Sequence, residues 1–250
     1  MGTPPRRLSR RLFRSVCRVA VLVCVGVSLL GWGVAQPSCR RQGRSSAVVD
    51  PGRLHGHVVM LSETLRPRDW TQAGNLEACA DYIAGEFDAA GAEVQSQPVK
   101  VHGRVFRNVI GRFGAGRGGS IVVGAHYDAF EDLPGADDNA SGIAALIELA
   151  HLLGRETPAL DVELVAYTLE EPPFFRTPAM GSAVHAASVA SRPDPIRGVI
   201  VLEMVGCFRD EPGSQSYPSL LLRLIYPRRG NFIAVVGHLG QGGWVKAVKR

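Results

Sequence analysis

Short apolar runs alternating with helical patterns limit the fold most strongly. "SIVVGAH" (120–126), "DVELVAYT" (161–168) and "GVIVLEMVG" (198–206) are brief and β-branched. The first has no polar face, as expected of a strand covered on both sides. Before them, "NLEACADYIAGEFDAAG" spaces Leu76, Cys79, Ala80, Ile83 and Phe87 on one helical face, with Asn75 as N-cap and Gly91 as stop. "ASGIAALIELAHLLG" does the same with Ile143, Leu146, Ile147, Ala150 and Leu153, ending at Gly154, and "MGSAVHAASVA" is a further helical stretch. "RVFRNVIGRF" alternates as a strand does, and "SLLLRLIY" is expected to be one more. The alternation predicts an α/β fold in three layers, with a mostly parallel central sheet and helices on both faces.

Charge divides the chain unevenly. Residues 1–44 carry nine arginines and no acid, which leaves 19 basic against 23 acidic residues in the remainder. A mildly acidic body has no basic stripe for a phosphate backbone, so nucleic-acid binding is excluded. The arginines flank Val19–Ala35, a stretch of 17 residues without charge. That pattern predicts residues 1–35 as a signal peptide or a single N-terminal membrane anchor. The protein would be exported to the periplasm or outside the cell, or held at the membrane through residues 19–35 if uncleaved. Residues 36–53, "QPSCRRQGRSSAVVDPGR", are polar and turn-rich and are expected to link this leader to a domain over 54–250. Five scattered cysteines with no CxxC pair argue against a disulfide framework or a cysteine–zinc site.

Two motif matches carry no weight. Gly114-Ala-Gly116-Arg-Gly-Gly119 fits G-x-G-x-x-G, but a strand follows it where the dinucleotide fingerprint needs a helix. Asn139-Ala140-Ser141 is a glycosylation sequon placed inside an acidic cluster at a helix start.

The ends of the predicted strands carry the chemistry. His126 and Asp128 follow the first run, Glu170 and Glu171 the second, and Glu203 closes the third; Asp137 and Asp138 lie in the loop before a helix. Ligands of open α/β sheets bind in the crevice outside the carboxyl ends of the strands. Bare carboxylates gathered there would repel one another, and a cation resolves that conflict. One imidazole with several carboxylates and no thiolate suits a catalytic zinc, with manganese and cobalt as alternatives. The number of acids suits two ions sharing a bridging carboxylate. Asp128, two residues from His126, suits orienting that imidazole. Glu170 and Glu171 are adjacent and cannot point the same way in extended chain, so one can ligate while the other serves as general base. The remaining histidines before and between these strands are expected to be structural.

With "FRNVIG", "VVGAHYD", "PGADDNASGIAALIELA", "EEPPFFRTPAMGS" and "LEMVG" in order, the chain resembles the zinc-dependent aminopeptidase family of the leucyl aminopeptidase and aminopeptidase Y type. The resemblance covers roughly residues 54–237. It implies the zinc-exopeptidase form of the α/β fold and hydrolysis of the N-terminal peptide bond of a peptide with a free N-terminus. It implies metal ligation by His126, Asp137, Glu171 and Glu203, with Asp137 bridging two zinc ions. Glu170 would be the general base and Asp128 would stand behind His126. It further implies a cis peptide between Asp137 and Asp138.

One departure changes the expectation. The family's last histidine ligand lies in a Ser-Asp-His-like stretch well beyond the position of Glu203, and no such stretch follows here; His238 is the only later histidine. The C-terminal part of the domain is therefore expected to be missing, with one zinc in place of two and activity impaired. The alternatives are a one-zinc glutaminyl cyclase-like enzyme and a non-catalytic ectodomain that binds a partner. A serine hydrolase has no G-x-S-x-G to support it.

Overall fold

A computed structural model describes residues 10–35, 47–114, 116, 118–156, 158–217, 220–238 and 240–249. The chain divides into two units, residues 44–208 and residues 1–43 together with 209–250.

The unit over 44–208 is built on a five-stranded sheet in the order β1-β2-β4-β3-β5. Its strands are β1 (Glu93–Val101), β2 (Arg104–Phe113), β3 (Ser120–His126), β4 (Asp161–Tyr167) and β5 (Ile196–Val201). The three apolar runs form a parallel core, β4-β3-β5, with Val123 opposite Leu164 on one side and Ile200 on the other. The sheet is mixed, however. β1 and β2 make an antiparallel hairpin, and β2 pairs antiparallel with β4. The hairpin turns at His102 (φ 48°) and Gly103 (φ 75°), the pair of positive φ values that suits the right-handed twist of two strands. β1 gave no apolar signal because most of it lies exposed at the sheet edge, with Gln95, Ser96, Gln97 and Pro98 in its middle.

Helix α2 (Pro51–Val59) begins inside the stretch expected to be linker. Asp50 caps it, its Oδ1 accepting from the amide of Gly52 at 2.8 Å, and Pro51 supplies a residue fit for the first turn. Its Arg53 donates to the buried Glu148. α3 (Ala73–Ala89) and α4 (Gly142–Leu153) bury Leu76, Ile83, Phe87, Ile143, Leu146 and Ile147 against Val109, Val123, Leu164 and Ala166. Alternate residues of the same strands, Ile110, Val122, Val165 and Tyr167, form a second cluster on the opposite face. α5 (Gly181–Val189) meets that face, where His185 Nε2 lies 2.7 Å from Glu163 Oε1. Glu163 also accepts from Arg112 and Arg192, each at 2.8 Å.

The second unit contains α1 (Arg10–Ala35), α6 (Leu220–Ile225) and α7 (Gly242–Val248). α6 replaces the strand expected at "SLLLRLIY": a short apolar run does not distinguish the two by periodicity. Among the described residues no helix is long and apolar enough to cross a membrane, so the anchor expected at residues 19–35 gains no support. The remainder of the expected linker, 36–46, lies outside the described residues.

Candidate metal centre

Parallel strands deliver their C-terminal ends to one rim. His126 is the last residue of β3 and is 7% exposed, at the bottom of a crevice. Its Nε2 lies 3.2 Å from Asp138 Oδ1 and 3.6 Å from Glu203 Oε1. His126, Asp138 and Glu171 each offer a ligand atom, all within 4.8 Å of one another. Asp128, 2% exposed, fixes the two sides of this group. Its Oδ1 faces His126 Nδ1 at 3.4 Å and its Oδ2 accepts from the amide of Glu171 at 2.9 Å.

The two glutamates after β4 diverge because Leu169, fully buried, adopts a left-handed φ of 58°. Such a turn is uncommon for a branched residue and re-aims whatever follows it. Glu171 is directed to His126 and Asp138, while Glu170 meets Ser182 at the start of α5. The Ser182 amide donates to Glu170 Oε1 at 2.8 Å and its hydroxyl to Oε2 at 2.7 Å. Both glutamates line a cavity of about 460 Å³ together with His126, Asp138, Glu203 and the apolar side chains of Phe175, Met180 and Val201.

Asp137, expected as the bridging ligand, is turned away. Its Oδ1 accepts from the amide of Gly206 at 2.8 Å and faces the Ser141 hydroxyl at 3.2 Å. Asp138 faces the histidine in its place. The two acids sit in a distorted turn, Ala136–Ser141, whose interior leaves helical φ/ψ at Asp138 and Asn139, so neither helical nor extended spacing governs them. The cis peptide lies between Asp138 and Asn139, one residue later than expected.

Two residues that sequence reasoning passed over hold the crevice together. Arg68 is fully buried. It donates to the carbonyls of Tyr127 (2.8 Å), Leu61 (2.5 Å), Pro134 (2.9 Å) and Gly135 (3.0 Å), so it spans the loop that carries Asp128 and leads into Asp138. Asn139, also fully buried, donates to the carbonyl of Leu202 at 2.9 Å and accepts from the amides of Gly142 and Met204 at 3.1 and 3.3 Å. It thereby ties the acidic turn to the end of β5. The only sequence signal for Asn139 was a sequon, which points outward and not to burial.

The electrostatics ask for a cation. Burial would push the His126 imidazole pKa down, yet the acids Asp128, Asp138 and Glu203 beside it raise it to about 12. His126 and the nearby Arg68 charge hold the Asp138 carboxyl below its ordinary range. Glu170 and Glu171 are pushed up, first by burial and then by the other acids around them. Asp138 Oδ1 is buried with no hydrogen-bond partner, as is Asp128 Oδ1. An imidazole, several carboxylates and an orphaned carboxylate oxygen form a donor set that fits zinc.

A sequence model described as peptidase family M28 matches residues 108–226. The chain is 43% identical over 226 residues to the uncharacterized protein YfbL of Escherichia coli (strain K12), an alignment covering 87% of this chain and 67% of that protein. Among solved structures, a Bacteroides thetaiotaomicron leucine aminopeptidase precursor superposes with TM-score 0.55 at 25% identity, covering 67% of this chain and 66% of that one. A glutaminyl cyclase from the same organism gives TM-score 0.55 at 25% identity, covering 67% and 65%. The chain thus spans about two thirds of the length of each of these relatives. Sequence, fold and the acid-rich rim agree, and the chain belongs to peptidase family M28, the zinc aminopeptidase family.

Proposed function

We propose that the chain is an aminopeptidase that hydrolyses the N-terminal peptide bond of a peptide with a free N-terminus. The observation that carries this is the convergence of His126, Asp138 and Glu171 within 4.8 Å, beside a glutamate, Glu170, that faces the same cavity without joining them. His126, Asp138, Glu171 and Glu203 would hold zinc. Bound there, zinc supplies Lewis acidity toward the scissile carbonyl and a lowered pKa for water.

The protein's own groups do the rest. Glu170 accepts a proton from the attacking water at a carboxylate oxygen and returns it to the leaving amine. Its burial keeps its pKa above the ordinary carboxylate value, which favours both transfers near neutrality. Asp128 holds the His126 ring from the Nδ1 side, which leaves Nε2 directed at the acids. Phe175, Met180 and Val201 give the cavity an apolar wall able to take an uncharged side chain. Export through the N-terminal leader belongs to the same proposal, because the arginine-flanked stretch at 19–35 is a secretion pattern. N-terminal sequencing of the protein recovered from cell fractions tests it.

The test of the reaction uses the full chain dialysed against zinc, with leucine p-nitroanilide and an N-terminal glutaminyl peptide as substrates. Release of p-nitroaniline that Glu170→Gln abolishes at unchanged zinc content supports the proposal. Ammonia release from the glutaminyl peptide alone would replace it with cyclisation, the activity named for the structural relative. Full hydrolysis by Glu170→Gln would take the base away from Glu170.

A further inference from the structure

We infer that Ser182 is a positioning residue for the base: it fixes the Glu170 carboxylate by both oxygens, and Asn108 fixes Ser182. The inference rests on Glu170 acting as the base of the proposed reaction.

A glutamate side chain has free rotation about its stem, and Glu170 stands among Asp138, Glu171 and Glu203 in one cavity. Among the described residues no arginine or lysine forms an ion pair with it. Ser182 holds it. Its amide and hydroxyl make a two-point fork, at 2.8 and 2.7 Å, on the two carboxylate oxygens. Hydrogen bonds to an ionised group are the strong ones, and two of them fix a plane as well as a position. Each oxygen keeps a second lone pair with which to take the proton of an attacking water.

The fork is itself braced. Asn108 of β2 is fully buried. Its Nδ2 donates to the Gly181 carbonyl and to Gln97 Oε1, both at 2.8 Å, and its Oδ1 accepts from the Thr168 amide at 3.1 Å. The Gly181 amide closes the ring on the Thr168 carbonyl at 2.9 Å. Thr168 lies two residues before Glu170, and Gly181 directly precedes Ser182. One buried amide thus sets the spacing between the strand end that carries the base and the helix start that grips it. Position 181 admits no side chain, since a Cβ there would lie 2.2 Å from Asn108 Oδ1 and 2.5 Å from the Thr168 carbonyl oxygen.

A helix start that merely uses Glu170 as its cap would show the same contacts, so the experiment must separate aim from stability. In the zinc-loaded full chain, Ser182→Ala is expected to lower kcat about 10- to 100-fold while KM and zinc content hold. Ser182→Thr, which keeps the hydroxyl, should recover most of the loss. Wild-type kcat in Ser182→Ala, with Glu170→Gln inactive, overturns the inference and leaves the proposed reaction standing. An active Glu170→Gln overturns the reaction and the inference together. Crystal structures of zinc-loaded wild type and Ser182→Ala decide independently of turnover: a displaced Glu170 carboxylate in the variant supports the inference, and an unmoved one overturns it.

Discussion

Arg68→Met asks what one buried cation is worth when its partners are backbone. The methionine stem fills much of the same volume but offers no donor. Four carbonyls, of Leu61, Tyr127, Pro134 and Gly135, lose the guanidinium that satisfies them. The side chain is fully buried, so water does not replace it without opening the loop. The bonds to Leu61 and Tyr127 are buried, those to Pro134 and Gly135 only partly so, and the Gly135 carbonyl also accepts from the Ala140 amide. A buried acceptor left without a partner costs about 1–3 kcal/mol, so the first two would cost about 2–6 kcal/mol. Against this stands the desolvation of the charge, which the variant no longer bears and which already lowers the Arg68 pKa. Carbonyls relax more easily than side chains, and the net expected loss is about 2–4 kcal/mol. That is a large fraction of the roughly 5–15 kcal/mol that holds a domain together. Arg68→Lys keeps the charge but not the planar fork, and should lose about half as much. Urea unfolding followed by circular dichroism reads both variants. A loss below about 1 kcal/mol in Arg68→Met would refute the reasoning, because it would mean that the carbonyls find water or one another without the guanidinium.

Zinc content after dialysis should fall sharply in Asp138→Asn and stay near wild type in Asp137→Asn; equal loss in both would mean that the turn, and not the ligand, is being read. Glu163 carries a pH dependence. Burial alone would raise its pKa, but hydrogen bonds from His185, Arg112 and Arg192 outweigh it and hold the carboxyl at about 2. A depressed carboxyl takes up its proton later in the folded than in the unfolded chain, so its contribution is complete above about pH 4.5 and drains away between there and about 2. The amount is roughly 3 kcal/mol, and the melting temperature of wild type should fall more steeply than that of Glu163→Gln over that window. Gly124→Ala places a Cβ 2.3 Å from the Tyr167 ring, which is buried and hydrogen-bonded to His185 at 3.2 Å. It should cost about 1–3 kcal/mol in urea unfolding, and a cost below about 0.5 would show that the ring swings aside.

The parallel strands and three of the helices were legible because burial on both faces and helical spacing write themselves into composition. β3 spans the run "SIVVGAH", and β4 and α4 nearly match theirs. What composition does not encode is a half-exposed edge, which hid β1, or a polar residue whose partners are backbone. Arg68 reads in sequence as an ordinary surface charge, and only the path of the 127–135 loop around it shows otherwise. Asn108 stands in an alternating strand as one more polar position, although it is fully buried.

The neighbouring acids show where sequence reasoning stops in the site itself. In a strand, adjacent side chains point to opposite faces, so a choice between Asp137 and Asp138 would follow from the register. They lie instead in a turn where Asp138 has φ −106° and ψ 92° and Asn139 has φ −131° and ψ 38°. Their directions are therefore set by what each oxygen finds. Asp137 finds the Gly206 amide and the Ser141 hydroxyl, both neutral donors, and is satisfied without a cation. Asp138 finds only His126 for the oxygen that is buried. An anion with neutral donors can serve as scaffold, whereas Asp138, kept ionised by His126 and Arg68 and with a buried oxygen that no hydrogen bond satisfies, offers a free ligand atom. That difference, which no spacing rule contains, is why the proposed zinc ligands include Asp138 and not Asp137.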